Sequence, residues 1–271
     1  VPPLASLASL VLAAALSAAI AGAAYAAGSL NRSGALAAFV VGTIAVATGA
    51  AWGGYLVTWF ALTSLLSRLG RERKARHVAA IVAKGGARDA RQVFANGGVF
   101  ALAALGTWWF APQTSAHALL AAAGAAALAA AGADTWATEV GTWARATAWS
   151  LRTGRRVVAG TSGAISLAGT AGLAAGALLW TLAAMWLGVI EAAAIPAVLT
   201  GALAGATMDT LLGAWAQARR WCDRCNGATE QVVHVCGAAT RVAGGVRWLD
   251  NDAVNLAATV TGALVAMALA R

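Results

Sequence analysis

The chain is 271 residues long, 60% hydrophobic and only 11% charged, with 19 Lys and Arg against 10 Asp and Glu. Soluble domains carry roughly 25% charge, so the composition excludes a water-soluble globular fold and points to an all-α, polytopic integral membrane bundle. The net charge of +9 reflects basic residues set between apolar stretches, which is a topology signal and not a mark of nucleic-acid binding.

A helix that crosses the hydrocarbon core needs about 20 apolar residues. Eight stretches meet or approach that length, at 4–27, 34–49, 51–67, 93–111, 115–142, 165–190, 193–217 and 253–270. The pattern requires no strand. It describes one transmembrane domain, 1–271, with a basic amphipathic loop at 68–92 and a Cys/His loop at 218–250. If the 68–91 loop is cytoplasmic, alternation places every Lys and Arg except Arg271 on that side, and every acid except Glu191 at or near it. Both termini then lie outside. The absence of a basic residue before the first span fits that orientation and argues against a cleaved secretory signal.

Taken in order, the first span is plain, and the second and third form a tight outer hairpin. The second opens with Arg32-Ser33-Gly34-Ala35 much as the sixth opens with Thr161-Ser162-Gly163-Ala164, which suggests a parallel four-plus-four repeat. The 68–92 loop brings Lys84-Gly85-Gly86, Arg88 and Arg91, a cluster able to clamp phosphate as well as lipid headgroups. Asn96-Gly97-Gly98 follows at the start of the fourth span, where a buried amide either packs on a neighbour or meets a ligand.

The fifth span is where charge enters an otherwise Ala, Leu and Gly run, at Asp134-Thr135-Trp136-Ala137-Thr138-Glu139. An ionisable group at a helix centre costs about 2.5–3.5 kcal/mol in lipid, so Asp134 is expected to face a bound cation. A helix over 115–142 would reach about 42 Å at 1.5 Å per residue, so its last turns emerge into the interface. Asp134 and Glu139 lie about 140° apart on the helix and serve one metal only near its end; two neighbouring sites are the alternative.

Gly160-Thr161-Ser162-Gly163 then leads into the sixth span, where free N–H groups make an anion site or Thr161 or Ser162 simply caps the helix. Asp209 lies near the inner end of the seventh span. Cys222, Cys225, His234 and Cys236 suit a Cys₃His zinc site in a reducing compartment. Asp250-Asn251-Asp252 and Asn255 form a last polar cluster as the eighth span begins. No P-loop, dinucleotide fingerprint or nucleophile elbow is present.

Assembled, these motifs resemble a family of integral membrane proteins long labelled only as a domain of unknown function, whose plant members include the chloroplast phytyl-phosphate kinase. The likeness covers nearly the whole chain and rests on the segments 91–98, 134–141, 160–166, 209–213 and 248–255. The Cys/His segment resembles bacterial members and is missing from plant ones. The resemblance implies nucleotide-dependent phosphorylation of an isoprenyl monophosphate to its diphosphate, in a bacterial plasma membrane with the site on the cytoplasmic side.

On that reading Asp134, Glu139, Asp209 and Asp252 hold Mg²⁺, and Lys84, Arg88 and Arg91 hold phosphate. Ser162 with Gly163 forms an anion-binding helix start, and Asn96, Asn251 and Asn255 orient ligands. The co-substrate is CTP or ATP, and the partners are the lipid bilayer, prenyl phosphate and nucleotide. Nucleotidyl transfer to a lipid phosphate, and transport or flipping of an anionic lipid, are the competing functions.

Overall fold

The structure, a computed structural model, describes residues 7–69, 86–144 and 147–270. Among them are eight α-helices: α1 (Leu7–Ala26), α2 (Arg32–Thr48), α3 (Ala50–Leu69), α4 (Ala90–Thr107), α5 (Ser115–Trp143), α6 (Leu167–Trp186), α7 (Ile195–Trp215) and α8 (Asn251–Leu269). Five of them, α1, α5, α6, α7 and α8, are long and apolar enough to cross a membrane, and α2 is a shorter apolar helix. The expectation of a helical membrane bundle therefore holds.

The core is organised around α5. Every residue from Ala121 to Ala133 is buried, because α3, α4, α6, α7 and α8 surround the helix. Only a column of Ala, Gly and one Leu is slim enough for neighbours on all sides, which is why small residues dominate helix contacts in lipid. Large side chains fill the gaps from outside the column. Trp52, Tyr55, Phe100 and Trp180 are buried together against it, and the Tyr55 hydroxyl donates to the Trp180 carbonyl at 3.0 Å. The helix pairing differs between halves: α7 packs along α8, whereas α3 and α4 make no extensive contact.

Helix starts are set by side-chain caps. Asp89 and Gln92 form a reciprocal capping box that begins α4 at Ala90, earlier than hydropathy places it. Ser166 caps α6 by accepting from the Gly169 N–H at 3.0 Å, so this helix starts after the Thr161-Ser162-Gly163 segment and not within it.

The expectation of no strands is corrected. The loop after α5 forms a three-stranded sheet from β1 (Ala148–Ser150), β2 (Arg156–Val157) and β3 (Ala164–Ile165), in order β2-β1-β3. The loop after α7 forms a second from β4 (Arg219–Cys222), β5 (Gly227–Thr229) and β6 (Arg241–Gly244), in order β5-β4-β6. All pairings are antiparallel. Strands of two to four residues are too short to show an alternating pattern.

Candidate functional site

The first sheet and several helix ends meet around one cavity of about 630 Å³. The C-terminal part of α5 supplies Asp134, Thr138 and Glu139; α7 supplies Asp209 and Thr210; the start of α8 supplies Asn251. Opposite them stand Arg68 at the end of α3, and Arg88 and Gln92 around the start of α4. The segment 159–166 forms another wall, and Glu230 enters from the loop after β5. Asp134 and Glu139 thus line one cavity near the end of an unbroken helix.

Arg88 is held in place through its backbone. Its N–H donates to the Ser29 carbonyl at 2.9 Å and its own carbonyl accepts from the Asn31 N–H at 3.0 Å, a parallel bridge beside Leu30. This close approach is possible because Gly34, in the first turn of α2, has no Cβ to meet the Arg88 carbonyl. The guanidinium donates to Ser64 Oγ at 3.0 Å and lies 5.5 Å from the centre of the Phe60 ring. Burial pulls its pKa down, and the charge of Glu139 partly offsets that. Arg68 joins the same wall, donating to the Ala27 carbonyl at 2.6 Å and Ser29 Oγ at 2.7 Å.

The acids form an electrostatic cluster. Asp209 lines the cavity together with Asp134 and Glu230. Its Oδ2 is buried and has no hydrogen-bond partner among the described residues. A buried carboxylate oxygen without a partner is satisfied either by a proton or by a cation, and among cations hard oxygen donors suit Mg²⁺. Asp134, Glu139 and Asp209 line the same cavity, whereas among the described residues the donor atoms that converge tightly enough to hold a metal ion are those of Cys222, Cys225, His234 and Cys236.

Four expected site residues do not line this cavity. Arg91 turns to the start of α8, pairing with Asp250 at 2.8 Å and approaching Asp252 at 3.8 Å. Asp252 is buried facing Arg91, and neither it nor Asn255 is in the lining. Asn96 lines a second, nearly apolar groove between α1, α2, α3 and α4. Ser162 and Gly163 do line the cavity, but as a turn before β3, Gly163 having φ +70° against the backbone of Ala214. They are not a helix start. Lys84 lies outside the described residues.

Glu230 was hidden from the sequence because its position depends on how the Cys/His loop folds. Gln92 carried a signal, the Asp-x-x-Gln spacing of a capping box. In the loop itself, the donor atoms of Cys222, Cys225, His234 and Cys236 lie within 4.8 Å of one another.

A family model described as integral membrane protein DUF92 matches residues 15–263, a range that includes every residue lining the cavity. The chain belongs to this family. It is also similar to Protein PGR of Arabidopsis thaliana, with 30% identity over 266 residues and 91% of each chain covered. No solved structure matches it. For this DUF92 member, the cavity is where residues from Ser29 to Asn251, far apart in a mostly apolar sequence, meet.

Proposed function

We propose that this chain is a membrane phosphotransferase that uses Mg²⁺ and a nucleoside triphosphate to convert an isoprenyl monophosphate into its diphosphate. One observation carries the reading: the acid-lined cavity and the apolar groove share Arg88 and Gln92 as a common wall. An amphiphile with a phosphate head and a branched hydrocarbon tail has those two needs in that order. Beyond Arg88 the groove is lined by Ile20, Val41, Leu56, Val57 and Phe60. Its inner surface is almost wholly apolar and encloses about 70 Å³, which suits the first carbons of a prenyl tail and offers little to a soluble metabolite.

In such a transfer a phosphate oxygen of the lipid attacks the γ-phosphorus, the bond to the bridging oxygen breaks, and nucleoside diphosphate leaves. The protein's part is to position the partners and balance charge. Arg88 would hold the lipid phosphate at the junction, with Arg68 adding positive charge. Asp134, Glu139 and Asp209 would hold Mg²⁺, which neutralises charge on the triphosphate. Asn251 and Ser162 would contribute polar contacts to phosphate or sugar. Basic residues on the same side support a cytoplasmic location for the site.

The test is purified protein with Mg²⁺, offered a panel of prenyl monophosphates with CTP or ATP and scored by mass spectrometry. Prenyl diphosphate with nucleoside diphosphate is the expected result. Nucleotidylated lipid with pyrophosphate would mean nucleotidyl transfer. No turnover, with movement of the lipid across liposomes, would mean transport.

A further inference from the structure

We propose that Cys222, Cys225, His234 and Cys236 bind one Zn²⁺, and that this ion holds Glu230 in the cavity wall as a fourth carboxylate beside Asp209. Tetrahedral Zn²⁺ with Zn–S bonds of about 2.3 Å separates its sulfurs by about 3.8 Å. The Cys222 and Cys236 sulfurs are 3.7 Å apart, far longer than a disulfide bond and matched to a shared metal. His234 Nδ1 lies 3.3 Å from Cys236 Sγ. The backbone is shaped for close approach at both ends, with Asn226 at φ 50° after Cys225 and Gly237 at φ 81° after Cys236.

Glu230 stands midway in the eight residues that join Cys225 to His234. Its neighbours are fastened on both sides. Thr229 is buried on β5, and its hydroxyl accepts from the Gln231 N–H at 3.2 Å. The Gln231 carbonyl accepts from Thr240 Oγ1 at 2.6 Å. A metal clamping Cys225 and His234 closes the ends of this segment and leaves the Glu230 carboxylate at the cavity. The loop is too small and polar to hold its shape by core packing, and metal ligation supplies the constraint. The proposal rests on the divalent-cation reading of the cavity.

The experiment is elemental analysis and Mn²⁺ titration by electron paramagnetic resonance on the full-length protein in detergent, without nucleotide. Mn²⁺ prefers carboxylate oxygens to thiolates, so it reports the cavity and not the Cys/His cluster. The wild type should hold one zinc per chain. Glu230→Gln should keep that zinc and its melting temperature, yet bind Mn²⁺ roughly 10- to 100-fold more weakly. Chelator-stripped wild type should show the same weakening, reversed by added Zn²⁺; stripped Glu230→Gln should not recover.

Protein that carries no zinc, wild type that binds no Mn²⁺, or Mn²⁺ affinity unchanged by stripping would overturn the proposal. The expected metal results from a preparation that turns over no prenyl phosphate would sustain it and refute phosphotransfer instead.

Discussion

Gly34→Ala tests how the fold places Arg88. A methyl group there would overlap the Arg88 carbonyl oxygen and sit 3.0 Å from the Arg88 carbonyl carbon and 3.3 Å from Asp89 Cα. All three are backbone atoms, so no change of rotamer relieves the clash. Moving this backbone strains the hydrogen bonds from Asn31 N–H to Arg88 O at 3.0 Å and from Arg88 N–H to Ser29 O at 2.9 Å. Overpacking costs about 1–3 kcal/mol and each lost hydrogen bond about 0.5–1.5, for about 2–6 kcal/mol in all. A shift of about 1 Å in a positioning group also lowers turnover by about 100-fold. Gly22→Ala is the control, since no atom outside its own helix lies within 4 Å of a Cβ there. Helix propensity predicts a gain of up to about 1 kcal/mol and no change in rate. The measurements are thermal unfolding in detergent and kcat with a prenyl phosphate. A Gly34→Ala protein that melts and turns over like Gly22→Ala would refute this account of Arg88.

Asp209→Asn removes the charge from a buried, unmatched carboxylate, so metal-free protein should melt no lower than wild type while turnover and Mg²⁺-dependent stabilisation disappear; calorimetry with and without Mg²⁺ reads both. Val57→Trp narrows the apolar groove and should raise KM for a long prenyl phosphate far more than for a short one, each displaced CH₂ being worth about 0.8 kcal/mol. In zinc-free protein, the His234 hydrogen bond, first among several contacts, brings the Cys236 thiol down to about 6. Its hydrogen bond to Cys236 leads the causes that push Cys225 up to about 11. A lowered pKa means thiolate at lower pH, so Cys236 alkylation should rise through about pH 6 and level off by neutrality, with Cys225 slow throughout. An inflection near pH 9 for Cys236 would contradict this.

The helical class and the meeting of Asp134, Glu139 and Asp209 at one cavity were legible because a carboxylate inside an apolar run is costly wherever it points. Which way each side chain turns was not legible. Asp252 and Asn255 sit at the correct level of the bundle, but α8 directs Asp252 toward Arg91, a pairing across sequence-distant segments. Asn96 shows the same limit: its level was right, yet its helix presents it to the apolar groove. In helices this rich in Ala, no polar stripe records the rotation. The two small sheets escaped because their strands fall below the length at which alternation shows, and with them the route by which Glu230 reaches the cavity.

In the proposed reaction, acids from separate helices and Arg88 bring a triphosphate and a lipid phosphate together for transfer of the terminal phosphoryl group. Following isotope from nucleotide labelled at either the α- or the γ-phosphate into the lipid product tests it most directly. The expected outcome is γ-label in the prenyl diphosphate, none from the α-position, and loss of labelling in Asp209→Asn. Label arriving from the α-phosphate, or none from either position in protein shown to be folded and metal-loaded, would contradict it.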